Sequence, residues 1–149
     1  MRAVAQRVRS ARVAVEGEEV AAMGPGILAL VGVHREDTPA AAQALARKLV
    51  ELRIFDDAQG RMNRSLRDTG GTLCIVSQFT LYGDARQGRR PSYTEAAPAE
   101  AAAPLLEQLA HAARDLGVPV VTGRFQAVMD VTLTNEGPVT ILLDTDRRF

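Results

Sequence analysis

Ser77-Gln78-Phe79-Thr80-Leu81 places two hydroxyls and a carboxamide at the end of the apolar run Leu73-Cys74-Ile75-Val76. Ser77 and Thr80 can donate or accept, Gln78 does both through its amide, and consecutive backbone N–H groups there could hold a developing oxyanion. Alternation across a half-wet strand gives the same pattern, with Ser77 and Phe79 on one face and Gln78 and Thr80 on the other. A hydroxyl nucleophile needs a base within hydrogen-bond reach. No Ser-His-Asp spacing supplies one, and His34, after an apolar strand, and His111, near Arg114, both read as surface residues. Any hydrolysis at this strand end would therefore lean on backbone groups or on the substrate itself.

A second cluster is Asn135-Glu136-Gly137-Pro138-Val139-Thr140, where a Gly-Pro bond interrupts what otherwise reads as two strands. An X-Pro bond reaches the cis state at a cost of only about 0.5–1 kcal/mol, against roughly 2.5–4 for other residues, so it can orient backbone carbonyls as no ordinary turn does. Gly137 adds close approach, having no Cβ. Gly24-Pro25 is the control: the same dipeptide between two strands, readable as a hairpin turn alone. A third cluster, Arg86, Arg89 and Arg90 with Tyr93 nearby, follows the Ser-Gln-Phe-Thr segment and could take phosphates, or could equally be a solvated loop.

The elements that must position these residues follow from periodicity and punctuation. Val4, Val8, Val13 and Val15 fall in two short β-prone runs, turned by Glu16-Gly17-Glu18-Glu19, with a second turn at Gly24-Pro25-Gly26. Ile27 to Val33 is apolar almost throughout, the mark of a strand buried on both faces. Thr38 and Pro39 predict a helix start as N-cap and first helical residue, and Leu45, Leu49 and Leu52 give that helix one packing face. A strand is expected from Thr72 to Tyr82, then a polar loop from Gly83 to Ala97. Pro98 opens a second helix over Ala99 to Leu116, closed by Gly117, in which Pro104 predicts a kink or a late start. Strands near Val118–Thr122, Phe125–Thr134 and Val139–Leu143 complete an α+β fold: a mostly antiparallel sheet, curled or barrel-like, covered by two main helices. Residues 1–144 read as a single domain and 145–149 as a loose tail.

Composition narrows the classes. The 149 residues carry 18 basic and 18 acidic side chains, a net charge of zero that excludes wholesale binding to nucleic acid by basicity. The single cysteine, Cys74, cannot form an internal disulfide, which fits a reducing cytosol. One cysteine and two separated histidines are too few for structural zinc, and no cofactor or metal is expected. Neither a signal-peptide core nor an 18-residue apolar stretch is present, so no membrane partner is expected and a cytoplasmic location is.

Taken in order, Gln6-Arg7-Val8, Leu52-Arg53-Ile54-Phe55, Met62-Asn63, Ser77-Gln78-Phe79-Thr80-Leu81, Gly88-Arg89-Arg90-Pro91-Ser92, Thr122-Gly123-Arg124-Phe125 and Asn135-Glu136-Gly137-Pro138-Val139-Thr140 resemble the bacterial D-aminoacyl-tRNA deacylase family from Met1 to about Asp144. The resemblance implies a homodimeric proofreading enzyme that hydrolyses the ester between a D-amino acid and the 3′-terminal adenosine of tRNA, with glycyl-tRNA mischarged on tRNA-Ala as a further substrate. It implies that the Gly137-Pro138 bond is cis and reaches into the partner's pocket, where backbone carbonyls engage the substrate α-amino group and exclude L residues. Arg7 would brace that motif, and Met129 would pack at the pocket wall. Ser77, Gln78, Phe79 and Thr80 would form the catalytic pocket, with Thr80 a nucleophile or only a hydrogen-bonding residue. Arg86, Arg89 and Arg90 would touch tRNA. Three departures stand out: Glu136 where the family usually has Asp, Val128 where a carboxylate is usual before Met129, and Gly83 for a common Ala. Asp130 does not replace the missing carboxylate, because one step along a strand faces the other side. A non-catalytic tRNA-binding or assembly module of the same fold, and an esterase for free small molecules, are the competing readings.

Overall fold

One long strand organises the molecule. In the computed structural model, which describes residues 1–149, β1 (Arg2–Val15) pairs antiparallel with β2 (Glu18–Met23), β3 (Gly26–Gly32) and β8 (Asp130–Asp144). The two short β-prone runs expected at the N-terminus are thus one strand, whose first half lies against β3 and whose second half lies against β2. The sheet continues from β3 to β6 (Thr72–Ser77) and β7 (Val120–Thr122) in parallel pairings, giving the order β2-β1-β3-β6-β7 with β8 on β1. β2 also approaches β7, which curls the sheet into an almost closed barrel. The α+β, barrel-like reading holds. Its antiparallel ladders centre on β1, and the parallel ones arise where helices cross between β3, β6 and β7.

Ile27 to Gly32 is apolar because both its faces are covered. Ile27, Ala29 and Val31 join Leu45 and Leu49 of α1 (Pro39–Glu51) and Leu105 and Leu109 of α3 (Ala99–Asp115) in the larger core. Leu28 turns instead into the barrel with Val8, Val13, Cys74 and Val76. Fully burying a leucine or isoleucine is worth about 1.5–3 kcal/mol, so the two clusters hold the sheet's curvature from both sides.

Helix α1 begins at Pro39 as expected, with Thr38 at the N-cap; the Thr38 side chain makes no capping bond, and its carbonyl accepts from Ala41 and Ala42. Helix α3 runs unbroken from Ala99 through Pro104, so the late start is not found. Its first turn is already closed by Ala101 and Ala102 donating to the Pro98 carbonyl. The one bond Pro104 deletes is outweighed by the apolar stripe Ala102, Leu105, Leu109 and Ala113 packed on the sheet. A hairpin of β4 (Phe55–Asp56) and β5 (Met62–Arg64) and a short helix α2 (Leu66–Thr69) were not anticipated. The helix is announced by Ser65-x-x-Asp68, a capping box with both reciprocal bonds made.

Three further expectations change. The strand from Thr72 ends at Ser77, and Phe79–Tyr82 forms a 3-10 turn, fixed because Arg2 donates to the Leu81 carbonyl and lies over the Tyr82 ring. Phe125 to Met129 is loop, and the two last strands are one, β8, which runs on to Asp144. Beyond it, the Thr145 N–H donates to the Met1 carbonyl at 2.9 Å and Arg148 lies 3.9 Å from Glu95. His34 is no surface residue: it is 5% exposed, its Nδ1 accepts from the Glu36 N–H, and its ring packs on Tyr82.

Candidate active site

The end of β6 opens into a cavity of 560 Å³ between the 3-10 turn, the start of α3 and the Phe125–Met129 loop. Ser77, Gln78 and Phe79 line one wall, Ala99 and Ala102 another, and Phe125, Gln126, Val128 and Met129 a third. Gln78 is held where strand gives way to turn, its N–H donating to the Val31 carbonyl at 2.7 Å. Its side-chain amide donates to the Thr80 hydroxyl, which stands at the exposed side of the turn and does not line the cavity. Helix starts leave their first N–H groups without intrahelical acceptors, and the amides of Phe79 and Thr80 occupy that position here. Phe79 is 55% exposed and meets Tyr93 edge-on at 5.1 Å between ring centroids.

Nucleophiles and bases are scarce. Cys74, three residues from Ser77, is fully buried, and burial pushes its thiol up to about 11, which leaves it protonated at neutral pH. His111 lies on α3 and shares a neighbouring cavity with Ser77, without a hydrogen bond between them. No group of three or more His, Cys, Asp and Glu is arranged to hold a metal ion. Asp130 is exposed at the start of β8, paired with Ala14 and away from the cavity.

Met129 reaches the cavity wall because Gly123 leaves room for it. A Cβ on Gly123 would stand 2.7 Å from the Met129 sulfur. That pairing of Thr122-Gly123 with Met129 went unread in the sequence, although the glycine itself was visible.

The Gly137-Pro138 segment sits elsewhere. Gln6 of β1 pairs with Thr140 and Val8 with Asn135, so residues 136–139 bulge out opposite the single residue Arg7. The Gly137-Pro138 bond is cis, as expected. Arg7 is buried, and its guanidinium donates to the Glu136 carbonyl at 2.9 Å, the Ile54 carbonyl at 2.8 Å and Asp56 Oδ1 at 3.3 Å. Asn135 closes the bulge from the other side: its Oδ1 accepts the Val139 N–H at 2.8 Å, while its Nδ2 donates to the Val139 carbonyl and to the Thr140 hydroxyl. Asn135 thus stands in for the strand partner that Val139 has lost. Neither Gly137 nor Pro138 lines the 560 Å³ cavity of its own chain.

In the arginine loop, Asp84 and Ser92 exchange backbone hydrogen bonds and close the segment between them. Arg86 grips Asp84 through two side-chain bonds of 2.9 and 2.6 Å, which hold the Asp84 carboxyl well below the usual carboxylate range. Arg89 and Arg90 remain exposed.

The class is therefore an α+β protein with a nearly closed mixed sheet and a strand-end cavity. Solved structures share it: one titled "c-Myc DNA Unwinding Element Binding Protein" is 37% identical with a TM-score of 0.91, covering 97% of this chain and 98% of that one. A probable eukaryotic D-amino acid tRNA deacylase has the same fold, with a TM-score of 0.81 at 20% identity over 95% of this chain and 97% of its own.

The family model described as D-Tyr-tRNA(Tyr) deacylase matches residues 4–144, and this chain belongs to that family. The D-aminoacyl-tRNA deacylase of Symbiobacterium thermophilum is 54% identical over 149 residues, spanning 100% of this chain and 99% of that protein. That of Thermomicrobium roseum is 56% identical over 145 residues, spanning 97% and 94%. Membership makes this protein an enzyme, a carboxylic ester hydrolase.

Proposed function

We propose that this protein hydrolyses the ester of D-aminoacyl-tRNA, releasing free tRNA and the D-amino acid, and rejects L-aminoacyl-tRNA. The observation that carries the reading is the full-length kinship with deacylases, joined to a cavity at which Ser77, Gln78, Phe79 and Met129 converge. An aminoacyl ester is activated by its charged α-amino group and the vicinal hydroxyl of the ribose, so positioning and one or two oxyanion donors suffice. The amides that open the 3-10 turn are the candidate donors. Thr80, whose hydroxyl accepts from Gln78 with no base beside it, is a hydrogen-bonding residue before it is a nucleophile.

The chiral element is the Gly137-Pro138 segment acting in trans. In a homodimer it would complete the partner's cavity, with its carbonyls on the substrate α-amino group and Arg7 bracing its base. An L side chain would then strike that backbone while a D side chain points to solvent. Such a block tolerates many D residues and admits glycine, which has no Cβ, so glycyl-tRNA mischarged on tRNA-Ala is a further substrate. No helix is long and apolar enough to cross a membrane, and the proposed site of action is the cytoplasm, where tRNA is charged. Arg89 and Arg90 are the loop cations that would meet tRNA, since Arg86 is paired with Asp84.

A binding module without turnover is the second reading, favoured by the DNA-binding title of the structure with a TM-score of 0.91. Incubating the purified protein with D-tyrosyl-tRNA, L-tyrosyl-tRNA and a simple D-tyrosine ester separates the cases. Release from D-tyrosyl-tRNA alone supports the proposal. Binding without release supports the module, and turnover of the free ester supports a small-molecule esterase.

A further inference from the structure

A second cavity, of 440 Å³, adjoins the first, and Ser77 and Phe125 line both. Its other polar walls are Glu107, His111 and Arg114 on α3 and Thr122 at the end of β7. Glu107 and Arg114 lie two helical turns apart, roughly 10 Å along the axis. Both are exposed, neither is in an ion pair, and the one polar contact of the Arg114 guanidinium is a long 3.4 Å bond to the Val120 carbonyl. An uncommitted cation and an uncommitted carboxylate thus stand at separate points of one cavity, with an aromatic ring between that cavity and the first. A ligand that suits this arrangement has an anionic group, a flat body and an amino edge. Because Ser77 and Phe125 line both spaces, a ligand that fills the 560 Å³ cavity has a path to extend into this one.

We infer that this cavity binds the nucleotide preceding the terminal adenosine of the acceptor strand, a cytidine: Arg114 takes the connecting phosphate, Phe125 stacks on the base, and Glu107 accepts its exocyclic amino group. Arginine is the side chain suited to phosphate oxygens, aromatic rings stack unpaired bases, and a carboxylate pairs with the cytosine N4 amino group and not with the uracil carbonyl in its place. The assignment rests on the D-aminoacyl-tRNA reading and extends it by one nucleotide. Glu107 and Arg114 act here on substrate binding, not on the ester.

The test compares kcat/KM for D-tyrosyl-tRNA, for the same tRNA ending in UA in place of CA, and for 3′-D-tyrosyl-adenosine, which lacks the second nucleotide. Glu107→Ala and Arg114→Ala should each lower kcat/KM on D-tyrosyl-tRNA about tenfold, through KM, and leave D-tyrosyl-adenosine unchanged. Arg114→Lys should recover part of that loss. The wild type should lose about tenfold on the UA end, and Glu107→Ala should no longer distinguish the two ends. Equal losses on tRNA and on the adenosine ester, or full activity of both variants on tRNA, overturn the assignment. A wild type that releases D-tyrosine from none of the three overturns the underlying reading.

Discussion

Gly24-Pro25 and Gly137-Pro138 are the same dipeptide, both exposed, both between strand segments, and they differ in what holds them. The first is a hairpin corner: a Cβ on Gly24 would meet nothing within 4 Å, and the Pro25 carbonyl simply continues the sheet by accepting from the Thr72 N–H. The second is forced out of a ladder, its flanks clamped by the buried Arg7 and by the Asn135 amide. Gly137 has φ +139°, and a Cβ there would stand 3.0 Å from the Val139 nitrogen and 3.3 Å from the Arg7 guanidinium. A turn tolerates any residue that can bend. A segment built to present backbone does not, because its side chains and hydrogen bonds have been spent on fixing carbonyl positions.

That contrast can be broken by substitution. Gly137→Ala should cut D-tyrosyl-tRNA hydrolysis about 100-fold in single-turnover assays, the scale of a misplacement near 1 Å, whereas Gly24→Ala should stay within about twofold. Comparable losses at both sites would erase the distinction. Next in size is Arg7→Ala, which strips the Glu136 and Ile54 carbonyls of their donor. Urea denaturation should show a loss of about 2–4 kcal/mol, and Arg7→Lys should recover less than half because one ammonium cannot serve acceptors that a planar fork reaches together. Asn135→Ala should cost about 1–2 kcal/mol. Asn135→Asp, which keeps the acceptor for the Val139 N–H and loses the donor, should fall between it and the wild type. The smallest effect belongs to Glu136→Gln: its carboxylate meets the exposed Arg9 at 3.3 Å, and such a pair is worth under about 0.5 kcal/mol. The Glu136 carbonyl that Arg7 binds is untouched by that change, so a large loss would mean that the carboxylate itself matters.

Much of this was legible along the chain, and what was not has physical causes. Helices α1 and α3 and the doubly buried β3 follow from local pattern, and the cis bond at Gly137-Pro138 from the family resemblance. The end of β6 did not, because Ser77 to Tyr82 alternates well enough for a strand, while the turn is imposed from outside by Arg2 on Leu81 and Tyr82. Residues 130–144 read as two strands because a four-residue bulge looks like a loop until its partner β1 is known. Arg7 was linked to the motif by resemblance, yet its hold on Ile54 and Asp56, 47 and 49 residues away, is tertiary and invisible to spacing. Asn135 and Thr140 were part of the quoted motif without a role, and only the hydrogen bonds supply one. His34 misled because polarity after an apolar strand suggests a surface, and the Tyr82 ring covers it.

The central claim is that Gly137-Pro138 completes a cavity it does not line in its own chain. Mixing subunits tests it most directly: Gly137→Ala and Gln78→Ala proteins, each inactive alone, are co-expressed with distinguishable tags and the mixed species is assayed on D-tyrosyl-tRNA. Each mixed dimer has one intact site of two, so the isolated mixed species should return to roughly half of the wild-type activity. Activity that stays at the level of the two separate variants would contradict the account and return the Gly-Pro segment to its own chain.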